Sequence, residues 1–448
     1  MSATRPARHS ALDPGPGPAP AGAYPHVPMS VLGPETIVMK FGGTSVADAD
    51  RIKRAAQRIV AQREQGKRVV AVLSARGKTT DELIAMAEEV SPQPDPREMD
   101  MLLSTGERIS CALCAMAIND LGHRAISLTG SQAGIVTDTS HTKARIVDVR
   151  AHRINEALDE DLIVLVAGFQ GVSPAYDVTT LGRGGSDTTA VAVAAAVGAE
   201  VCEIYTDVAG VFSADPRIVP DARKLSQVSF EEMLEMASSG AGVLMLRAVE
   251  YARTHGVTIH CRSSFDPGPG TVVLREDQTM EQPLITAVTH STDEARITLV
   301  GVPDRPGAAA AIFVALADAN CNVDTIIQNE PRTLGADAEV SFTVGYEDLR
   351  AAEQALEPLR KELGVKIEAD REIGKVSIIG AGMRSHPGVA AKVFQTLADE
   401  QINIEMISTS PIKISCVIRS ENVPQAVRAL HSAFKLGEGG IEPEAGPR

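Results

Sequence analysis

Two glycine-rich segments hold the residues of this chain whose types and spacing are best suited to chemistry. The first is Lys40-Phe-Gly-Gly-Thr-Ser45, and the second is Thr180-Leu-Gly-Arg-Gly-Gly-Ser-Asp187. Each follows a strand-like run and precedes a helix-like one. Glycines let backbone N–H groups approach phosphate oxygens closely, and a helix N-terminus adds a favourable dipole. Together the segments predict a site where a nucleotide meets a small acid.

Lys40 ends an apolar run and is followed closely by Gly42 and Gly43. A charged side chain at the end of a buried strand is costly without an anionic partner. A phosphate passing between donor and acceptor would be such a partner, because lysine stabilises the charge on a transferring phosphoryl group. The alternative is a lysine whose charged end reaches solvent from the strand end.

The second segment offers an anion clamp and an acid. Arg183 lies between two glycines, where its guanidinium could bind a carboxylate through two parallel hydrogen bonds. Asp187 begins an Ala-rich helix-like run, so it can also cap that helix together with Ser186. Capping is compatible with a catalytic role.

Further along, polar residues follow another strand-like run. Thr206 and Asp207 come directly after it, and Phe212-Ser-Ala-Asp-Pro-Arg217 comes shortly afterwards. These side chains are suitable for adenine, ribose and phosphate. Taken alone they could equally be ordinary turn residues.

Composition narrows the class of protein. The chain has 448 residues, enough for two or three domains, with an ordinary globular balance of 44% hydrophobic and 23% charged residues. A net charge of −15 argues against broad binding of nucleic acid or acidic membranes. No apolar run approaches the roughly 18 residues that span a bilayer, so a soluble protein is expected. The cysteine pattern adds the expectation of a cytoplasmic location.

The six cysteines are irregularly spaced, which indicates a reduced chain rather than a disulfide framework. We interpret Cys111 and Cys114 as buried packing residues of a helix, although their spacing also fits a redox pair. The ten histidines show no metal-ligand spacing, so no protein-held metal is predicted.

Strand-like and helix-like runs alternate from Glu35 to about Leu274, which predicts an α/β fold with a mostly parallel sheet between helices. The predicted strands are Thr36–Met39, Val69–Leu73, Ala125–Ser127, Leu162–Ala167, Val201–Tyr205 and Thr258–His260. The predicted helices are Ala49–Glu64, Thr79–Val90, Thr105–Leu121, Lys143–Leu158, Asp187–Val197 and Phe230–Met236.

The C-terminal part repeats internally. Pro306-Gly-Ala-Ala-Ala and Pro387-Gly-Val-Ala-Ala begin matching series that continue into Asn322-Val-Asp and Asn403-Ile-Glu. Each copy predicts a small ferredoxin-like βαββαβ unit. The predicted domains are therefore a disordered tail (1–34), a catalytic domain (35–275) and two ferredoxin-like units (284–370 and 371–437). Met29 is an alternative start of translation.

The motifs resemble the signatures of aspartate kinases, which belong to the amino acid kinase family. The matching segments are Val38–Val46, Gly106-Glu-Arg-Ile-Ser110, Gly130-Ser-Gln-Ala-Gly134, Ala167-Gly-Phe-Gln-Gly171, Thr179–Thr189 and Tyr205-Thr-Asp-Val208. The two repeats are similar to paired ACT domains. The resemblance covers nearly everything after residue 35 and is densest with the actinobacterial type regulated by lysine and threonine.

This resemblance implies transfer of a phosphoryl group from ATP, with Mg²⁺, to the side-chain carboxylate of L-aspartate. It implies catalytic roles for Lys40 and Asp187. It assigns aspartate to Ser74, Thr80, Glu107, Arg183 and Ser186, with Arg183 on the α-carboxylate and Glu107 on the amino group. It assigns the nucleotide to Lys40, Gly42, Gly43, Ser45, Thr206, Asp207, Phe212 and Arg217. It assigns effectors to Asp304, Gly307, Asp324, Gln328, Asn403, Ile404 and Ser410.

The chain departs from the family pattern at the nucleotide and regulatory sites. Gly242 stands where relatives usually carry a phosphate-facing lysine, and Arg76 and Lys78 replace the usual Met and Asp. Glu330-Pro331 replaces Val-Ser, and Pro411 replaces Glu. Proline removes a backbone donor, so weakened or altered feedback by lysine plus threonine is expected.

Three functions remain open from the sequence. The first is an active aspartate kinase, forming a homo-oligomer through its ACT domains or joining an ACT-only subunit started at Met280. The second is an amino-acid sensor whose kinase site has decayed, which Gly242 favours. The third is a kinase of another acidic amino acid, which Arg76 and Lys78 favour.

Overall fold

The computed structural model describes residues 35–276, 284–329, 338–386 and 388–438. The predicted tail (1–34), Met280, Glu330 and Pro331 therefore lie outside the described residues.

The described residues form twenty strands and twelve α-helices. The strands are β1 (Thr36–Phe41), β2 (Arg68–Leu73), β3 (Ala125–Leu128), β4 (Ile135–Thr137), β5 (Ile146–Val149), β6 (Ile163–Ala167), β7 (Gln170–Val172), β8 (Val178–Thr180), β9 (Val201–Thr206), β10 (Gln227–Ser229), β11 (Thr258–Ser263), β12 (Thr271–Leu274), β13 (Ala287–Ser291), β14 (Glu294–Val302), β15 (Val323–Asn329), β16 (Ala338–Gly345), β17 (Lys366–Asp370), β18 (Ile373–Ile379), β19 (Met406–Ser410) and β20 (Lys413–Arg419). The helices are α1 (Ala49–Glu64), α2 (Thr79–Val90), α3 (Pro96–Leu103), α4 (Thr105–Asp120), α5 (His152–Asp159), α6 (Gly185–Ala196), α7 (Phe230–Ser238), α8 (Leu246–His255), α9 (Ala308–Asp318), α10 (Tyr346–Glu362), α11 (Val389–Asp399) and α12 (Val423–Ala433).

An eight-stranded sheet in the order β10-β12-β11-β9-β1-β2-β6-β3 organises the N-terminal domain. Its strands pair in parallel except where β11 meets β12. The central strands are buried on both faces, because helices cover both sides of a parallel sheet. The predicted α/β class is confirmed.

Helices cover the two faces with separate apolar clusters. One cluster includes α1 and α4, and the other includes the Ala-rich helix α6 together with α7 and α8. Helix α6 is apolar around most of its circumference, and its first ten residues are buried. A helix with this pattern belongs in a core, so the C-terminal end of the second glycine-rich segment is fixed by burial.

A second, four-stranded sheet in the order β5-β4-β7-β8 was not predicted from the sequence. The predicted helix over Lys143–Leu158 is wrong in its first half, where Ile146–Val149 forms β5 and pairs antiparallel with β4. The Ile-Val-Asp-Val run has β-branched residues that favour a strand. Helix α5 begins only at His152. Strand β8 of this sheet leads directly into the second glycine-rich segment.

Each C-terminal repeat builds a four-stranded antiparallel sheet with two helices. The first sheet has the order β15-β16-β14-β17, and the second has the order β13-β18-β20-β19. Strand β13 precedes the first unit in the chain but pairs with β18 of the second unit. It takes the edge position that β17 takes beside β14 in the first sheet. The second unit thus takes its fourth strand from the linker. The sequence analysis did not predict this exchange.

By length and composition alone, the helical stretch Pro96–Asp120 could cross a membrane, which the sequence analysis did not predict. Half of its most apolar window is buried inside the fold. Its second part, α4, packs on α1 and on strands β3 and β6. These contacts are typical of a core helix.

The cysteines are buried and free in the described residues. Cys111 and Cys114 lie in the cluster beneath α4, and burial raises the pKa of the Cys114 thiol to about 12. Such thiols are poor nucleophiles, so the packing interpretation is confirmed.

Candidate functional site

The carboxyl ends of five strands meet at one edge of the large sheet. Lys40 lies opposite Val72 of β2 and Ile204 of β9. The loops that follow β1, β2, β6, β9 and β11 therefore converge, as expected for ligand sites in parallel sheets. Phe41 and Tyr205 stack next to Lys40 with their ring centroids 4.8 Å apart, which fixes the local backbone.

A buried ion pair joins the two glycine-rich segments at this edge. Lys40 Nζ lies 2.5 Å from Asp187 Oδ1, and both side chains are largely buried. Asp187 is in the first turn of α6. The contact is a short ion pair, and an ammonium has three N–H donors, so Lys40 can also donate to another oxygen.

The first glycine loop is packed tightly against the loop after β2. A Cβ built on Gly43 would lie 2.8 Å from the carbonyl oxygen of Ala75, so only glycine fits. Gly77 N–H donates to the Gly43 carbonyl, and Ser45 Oγ lies 2.5 Å from Ser264 Oγ. The N–H of Gly42 donates to Tyr205, so Gly42 shapes the loop.

Glu107 is a buried acid of α4 beside the same loop. Its Oε1 accepts a hydrogen bond from the Ala75 N–H at 3.2 Å, and its Oε2 has no hydrogen-bond partner among the described residues. Burial raises the pKa of Glu107 to about 7. A buried carboxylate with a free oxygen favours a cationic ligand. Ser74 lies directly after β2, and Thr80 lies in the first turn of α2.

The second glycine loop needs glycine at two positions with left-handed backbone. Gly182 has φ of +76° and Gly184 has φ of +70°. A Cβ on Gly184 would overlap the Met245 side chain. Between them Arg183 is exposed, and its side chain makes no hydrogen bond or ion pair with the described residues. Ser186 is buried, and its Oγ would lie 2.7 Å from a Cβ on Gly168.

Residues that the sequence analysis did not select support this second loop. Asp100 of α3 is fully buried and accepts hydrogen bonds from His141, Thr142 and Thr180. From the other side, Arg247 of α8 donates to the carbonyl oxygens of Leu181 and Ala144. An Asp in the middle of a helical pattern gives no sequence signal by itself, because its partners are distant in the chain.

The remaining predicted nucleotide residues lie at the end of β9 and on the loop that follows it. Thr206 Oγ1 donates to Asp207, and Phe212 pairs through its backbone with Lys224. Arg217 is exposed and forms an ion pair of 2.7 Å with Asp215 on its own loop. Its guanidinium therefore has to leave Asp215 to reach a nucleotide.

Gly242 lies on the exposed loop that leads into α8, the helix that holds the second glycine loop. A Cβ built on Gly242 meets no atom within 4 Å, and its backbone is not left-handed. A long side chain can therefore stand at this position without a clash.

Cations next to the first glycine loop come from the turn after β2. Arg76 donates to the Ala47 carbonyl, and Lys78 is exposed. Their turn touches Gly43 directly through Gly77. The sequence hypothesis of a compensating cation stays a prediction, although the turn is placed where it could act.

The predicted effector residues are spread over the two ACT-like sheets. Asp304 and Gly307 lie between β14 and α9, Gln328 is exposed on β15, and Asn403 and Ile404 precede β19. Asp324 of β15 is different, because the buried ammonium of Lys375 lies 2.6 Å from both Asp324 and Glu294. Burial alone would lower the pKa of Lys375, but the two carboxylates outweigh it and raise it.

The turn that carries Pro411 contacts the catalytic domain. Ser410 Oγ donates to Glu235 of α7 at 3.1 Å, and Lys413 pairs with the same carboxylate at 2.7 Å. The nucleotide-side loop also touches the second unit, because Val288 N–H donates to the Ser213 carbonyl. Each of these contacts joins the second ACT-like unit to an element of the catalytic domain near the candidate site.

Known proteins share this architecture. The amino acid kinase family matches residues 35–263, and ACT domains match residues 296–361 and 376–434. An aspartokinase of Mycobacterium tuberculosis is 57% identical over 405 residues, covering 90% of this chain and 96% of that protein. The chain belongs to the aspartate kinase family.

Other relatives agree. An aspartokinase of Corynebacterium glutamicum is 52% identical over 90% of this chain and 96% of its own length. The crystal structure of aspartate kinase from Synechocystis matches with a TM-score of 0.77 and 32% identity, over 92% of this chain and all of that one. E. coli aspartokinase III, in complex with aspartate and ADP, matches with a TM-score of 0.78 and 27% identity, over 90% of this chain and all of that one.

Among the described residues, no group of three or more His, Cys, Asp or Glu side chains could hold a metal ion. The donor set of this aspartate kinase site therefore does not fit a resident metal centre. Mg²⁺ fits better as part of the substrate MgATP, since it keeps several waters and binds substrate phosphates.

Proposed function

We infer that this chain catalyses transfer of the γ-phosphoryl group of ATP to the side-chain carboxylate of L-aspartate, giving ADP and 4-phospho-L-aspartate. The observation that carries this inference is the buried Lys40–Asp187 pair, which joins the two glycine loops at the carboxyl edge of the sheet. The family relationship supports the same reaction. The product lies at the start of lysine, threonine and methionine biosynthesis.

The chemistry needs positioning and charge neutralisation more than proton transfer. The side-chain carboxyl of aspartate has an ordinary pKa near 4, so it is already an anionic nucleophile at neutral pH and requires no general base. Its oxygen forms a bond to the γ-phosphorus as the bond to the β–γ bridging oxygen breaks and ADP leaves. Lys40 neutralises the negative charge on the phosphate chain, and Asp187 holds the ammonium in place.

Two residues are proposed to bind the acceptor. Arg183 has a free guanidinium that can form two hydrogen bonds to the α-carboxylate, and Glu107 has a free, buried oxygen for the α-ammonium. Ser74, Thr80 and Ser186 complete the pocket. Thr206, Asp207, Phe212 and Arg217 are proposed on the nucleotide side, with Mg²⁺ arriving with ATP.

A direct test uses purified protein with MgATP and a panel of acidic amino acids in hydroxylamine, which traps an acyl phosphate as a hydroxamate. We expect hydroxamate with L-aspartate and much less with L-glutamate or D-aspartate. Formation with another acid in preference to L-aspartate would contradict the assigned acceptor. Absence of hydroxamate with every acid would instead favour the sensor function.

The raised pKa of Glu107 predicts a pH dependence of aspartate use. Burial holds the pKa of this carboxyl at about 7 in the free enzyme, so it is protonated below that pH and cannot pair with an ammonium. We expect kcat/KM for aspartate to fall about tenfold between pH 8 and pH 6 and to level off above about pH 8. Steady-state kinetics with saturating MgATP measures this profile.

The matched variant is Glu107→Gln, which keeps the shape and removes the titration. It is expected to raise KM for aspartate and to give a flat profile between about pH 6 and pH 8. If the variant keeps the slope of the unmodified enzyme, another group titrates and the assignment of Glu107 is wrong.

We propose that feedback by lysine plus threonine is weakened. Pro411 lies in the turn whose neighbours, Ser410 and Lys413, contact Glu235 of the catalytic domain. Restoring the family residues with Glu330→Val, Pro331→Ser and Pro411→Glu is expected to lower the half-inhibitory concentration of an equimolar mixture about tenfold. An unmodified enzyme as sensitive as this triple variant would disprove the proposal.

We propose a cytoplasmic homo-oligomer that assembles through the ACT domains. Strands β15 and β17 form the two edges of the first sheet and β19 forms one edge of the second, and the large apolar residues Ile326 and Ile407 are exposed on these edges. Exposed edges favour pairing with another chain. Light scattering at several protein concentrations measures the assembly.

A further inference from the structure

A buried carboxylate lies outside the residues proposed to touch substrate. Asp100 occupies the middle of α3 and has no exposed surface. Its oxygens accept hydrogen bonds from Thr180 Oγ1 at 2.5 Å, from the Thr142 N–H at 3.1 Å and from His141 Nδ1 at 2.6 Å. Burying an unpaired carboxylate is very costly. This set of donors explains how the fold tolerates Asp100.

The donors to Asp100 belong to two segments. Thr180 begins the second glycine loop, and His141 and Thr142 belong to the loop that packs against it. Thr180 ends β8 and is three residues before Arg183. Thr142 has φ of +65°, a strained conformation for a β-branched residue. Its carbonyl oxygen would lie 3.1 Å from a Cβ on Gly182, and Ala144 N–H donates to the Thr180 carbonyl at 2.9 Å. Asp100 therefore holds both Thr180, at the start of the second glycine loop, and Thr142, in the loop that packs against it.

Arg247 fixes the same segment from the opposite side. Its guanidinium donates to the Leu181 carbonyl at 2.8 Å and to the Ala144 carbonyl at 2.9 Å. Thr180, Leu181 and Gly182 are thus held one after another. Arg183, which follows, has no side-chain hydrogen bond or ion pair among the described residues. A clamp works best when its base is rigid and its functional end is free.

We propose that Asp100 is a positioning residue for the acidic substrate: through Thr180 and Thr142 it holds the base of the loop that presents Arg183 to the substrate α-carboxylate. This rests on the function proposed for Arg183. The nucleotide is held from other strands, so the effect of Asp100 falls on aspartate binding and much less on MgATP binding.

The test compares Thr180→Val with Thr180→Ser. Valine keeps the shape of threonine but removes the hydroxyl that bonds to Asp100, whereas serine keeps the hydroxyl. Thr180→Val is expected to raise KM for aspartate about tenfold, because small displacements of a positioning group are costly. KM for MgATP should change less than about twofold, and Thr180→Ser should stay close to the unmodified enzyme.

A second variant keeps the test decisive if Thr180→Val folds poorly. Asp100→Asn keeps the volume, and should also raise KM for aspartate selectively. The double variant should show little more than the larger single effect, since both changes disrupt the same Thr180–Asp100 contact. Unchanged KM for aspartate, equal increases in both KM values, or a fall in kcat alone would overturn the proposal.

Arg183→Lys separates this inference from the one on which it rests. If Arg183→Lys raises KM for aspartate while Thr180→Val and Asp100→Asn do not, only the positioning role of Asp100 is wrong. If Arg183→Lys also leaves KM for aspartate unchanged, the clamp itself is wrongly assigned, and the proposal for Asp100 is overturned with it.

Discussion

Replacement of Lys40 by methionine is expected to lower kcat by about 10³-fold, because a preorganised charge next to the transferring phosphoryl group is lost. Lys40 is the cation in contact with Asp187 at the junction of both glycine loops. KM for aspartate should change little, since Arg183 and Glu107 are proposed to bind the acceptor. Steady-state kinetics with saturating MgATP measures both quantities.

Stability must be separated from chemistry in this experiment. Lys40→Met leaves the Asp187 carboxylate buried without its partner, which costs about 3–5 kcal/mol of unfolding free energy. Adding Asp187→Asn removes the unpaired charge and should restore much of the stability without restoring kcat. The matched surface control is Lys53→Met, since Lys53 is an exposed lysine of α1. A Lys40→Met enzyme with nearly full kcat would exclude Lys40 from the transfer step.

The second prediction with a large expected effect is a gain of activity. Replacement of Gly242 by lysine is expected to raise kcat/KM for MgATP by about 10²-fold, the scale of one electrostatic contact to a phosphate. The position is exposed, its backbone is not left-handed, and a Cβ there meets nothing within 4 Å. The loop leads into α8, whose Arg247 holds the second glycine loop. A long side chain therefore has room at this position.

Gly242→Met is the matched control, because it adds comparable length without charge. It should leave kcat/KM for MgATP within about twofold of the unmodified enzyme. Equal gains from methionine and lysine would show that chain stiffness matters rather than charge. No gain from lysine would mean that Arg76 or Lys78 already supplies the missing cation, and adding Arg76→Met to Gly242→Lys would then reveal it.

The local patterns of the chain were sufficient for much of the catalytic domain. Helices α1 and α2 have the bounds that their residue patterns predict, and the core strands follow from their apolar runs. The prediction failed at Ile146–Val149, where a strand was taken for part of a helix. A run of only four residues, three of them β-branched, gives no reliable period, and pairing with β4 decided its conformation.

The candidate site also divides into residues that the sequence could identify and residues that it could not. Lys40, Arg183 and Asp187 could be selected from sequence, because glycines beside a strand end limit the role of a charged neighbour. Asp100 and Arg247 could not, because their hydrogen-bond partners lie far away in the chain. The sequence around a buried aspartate in a helix looks the same as the sequence around an exposed one, so its burial cannot be recognised from neighbouring residues.

The sequence by itself determined the family, the order of the domains and the glycine loops that are proposed to receive the substrates, since these depend on short patterns of residues. Only the tertiary structure decided which polar groups meet: Lys40 with Asp187, Asp100 with Thr180, and Glu235 with the turn at Pro411. It also decided that β13 completes the second ACT sheet. These contacts join distant segments through packing and strand pairing, which local propensity cannot specify.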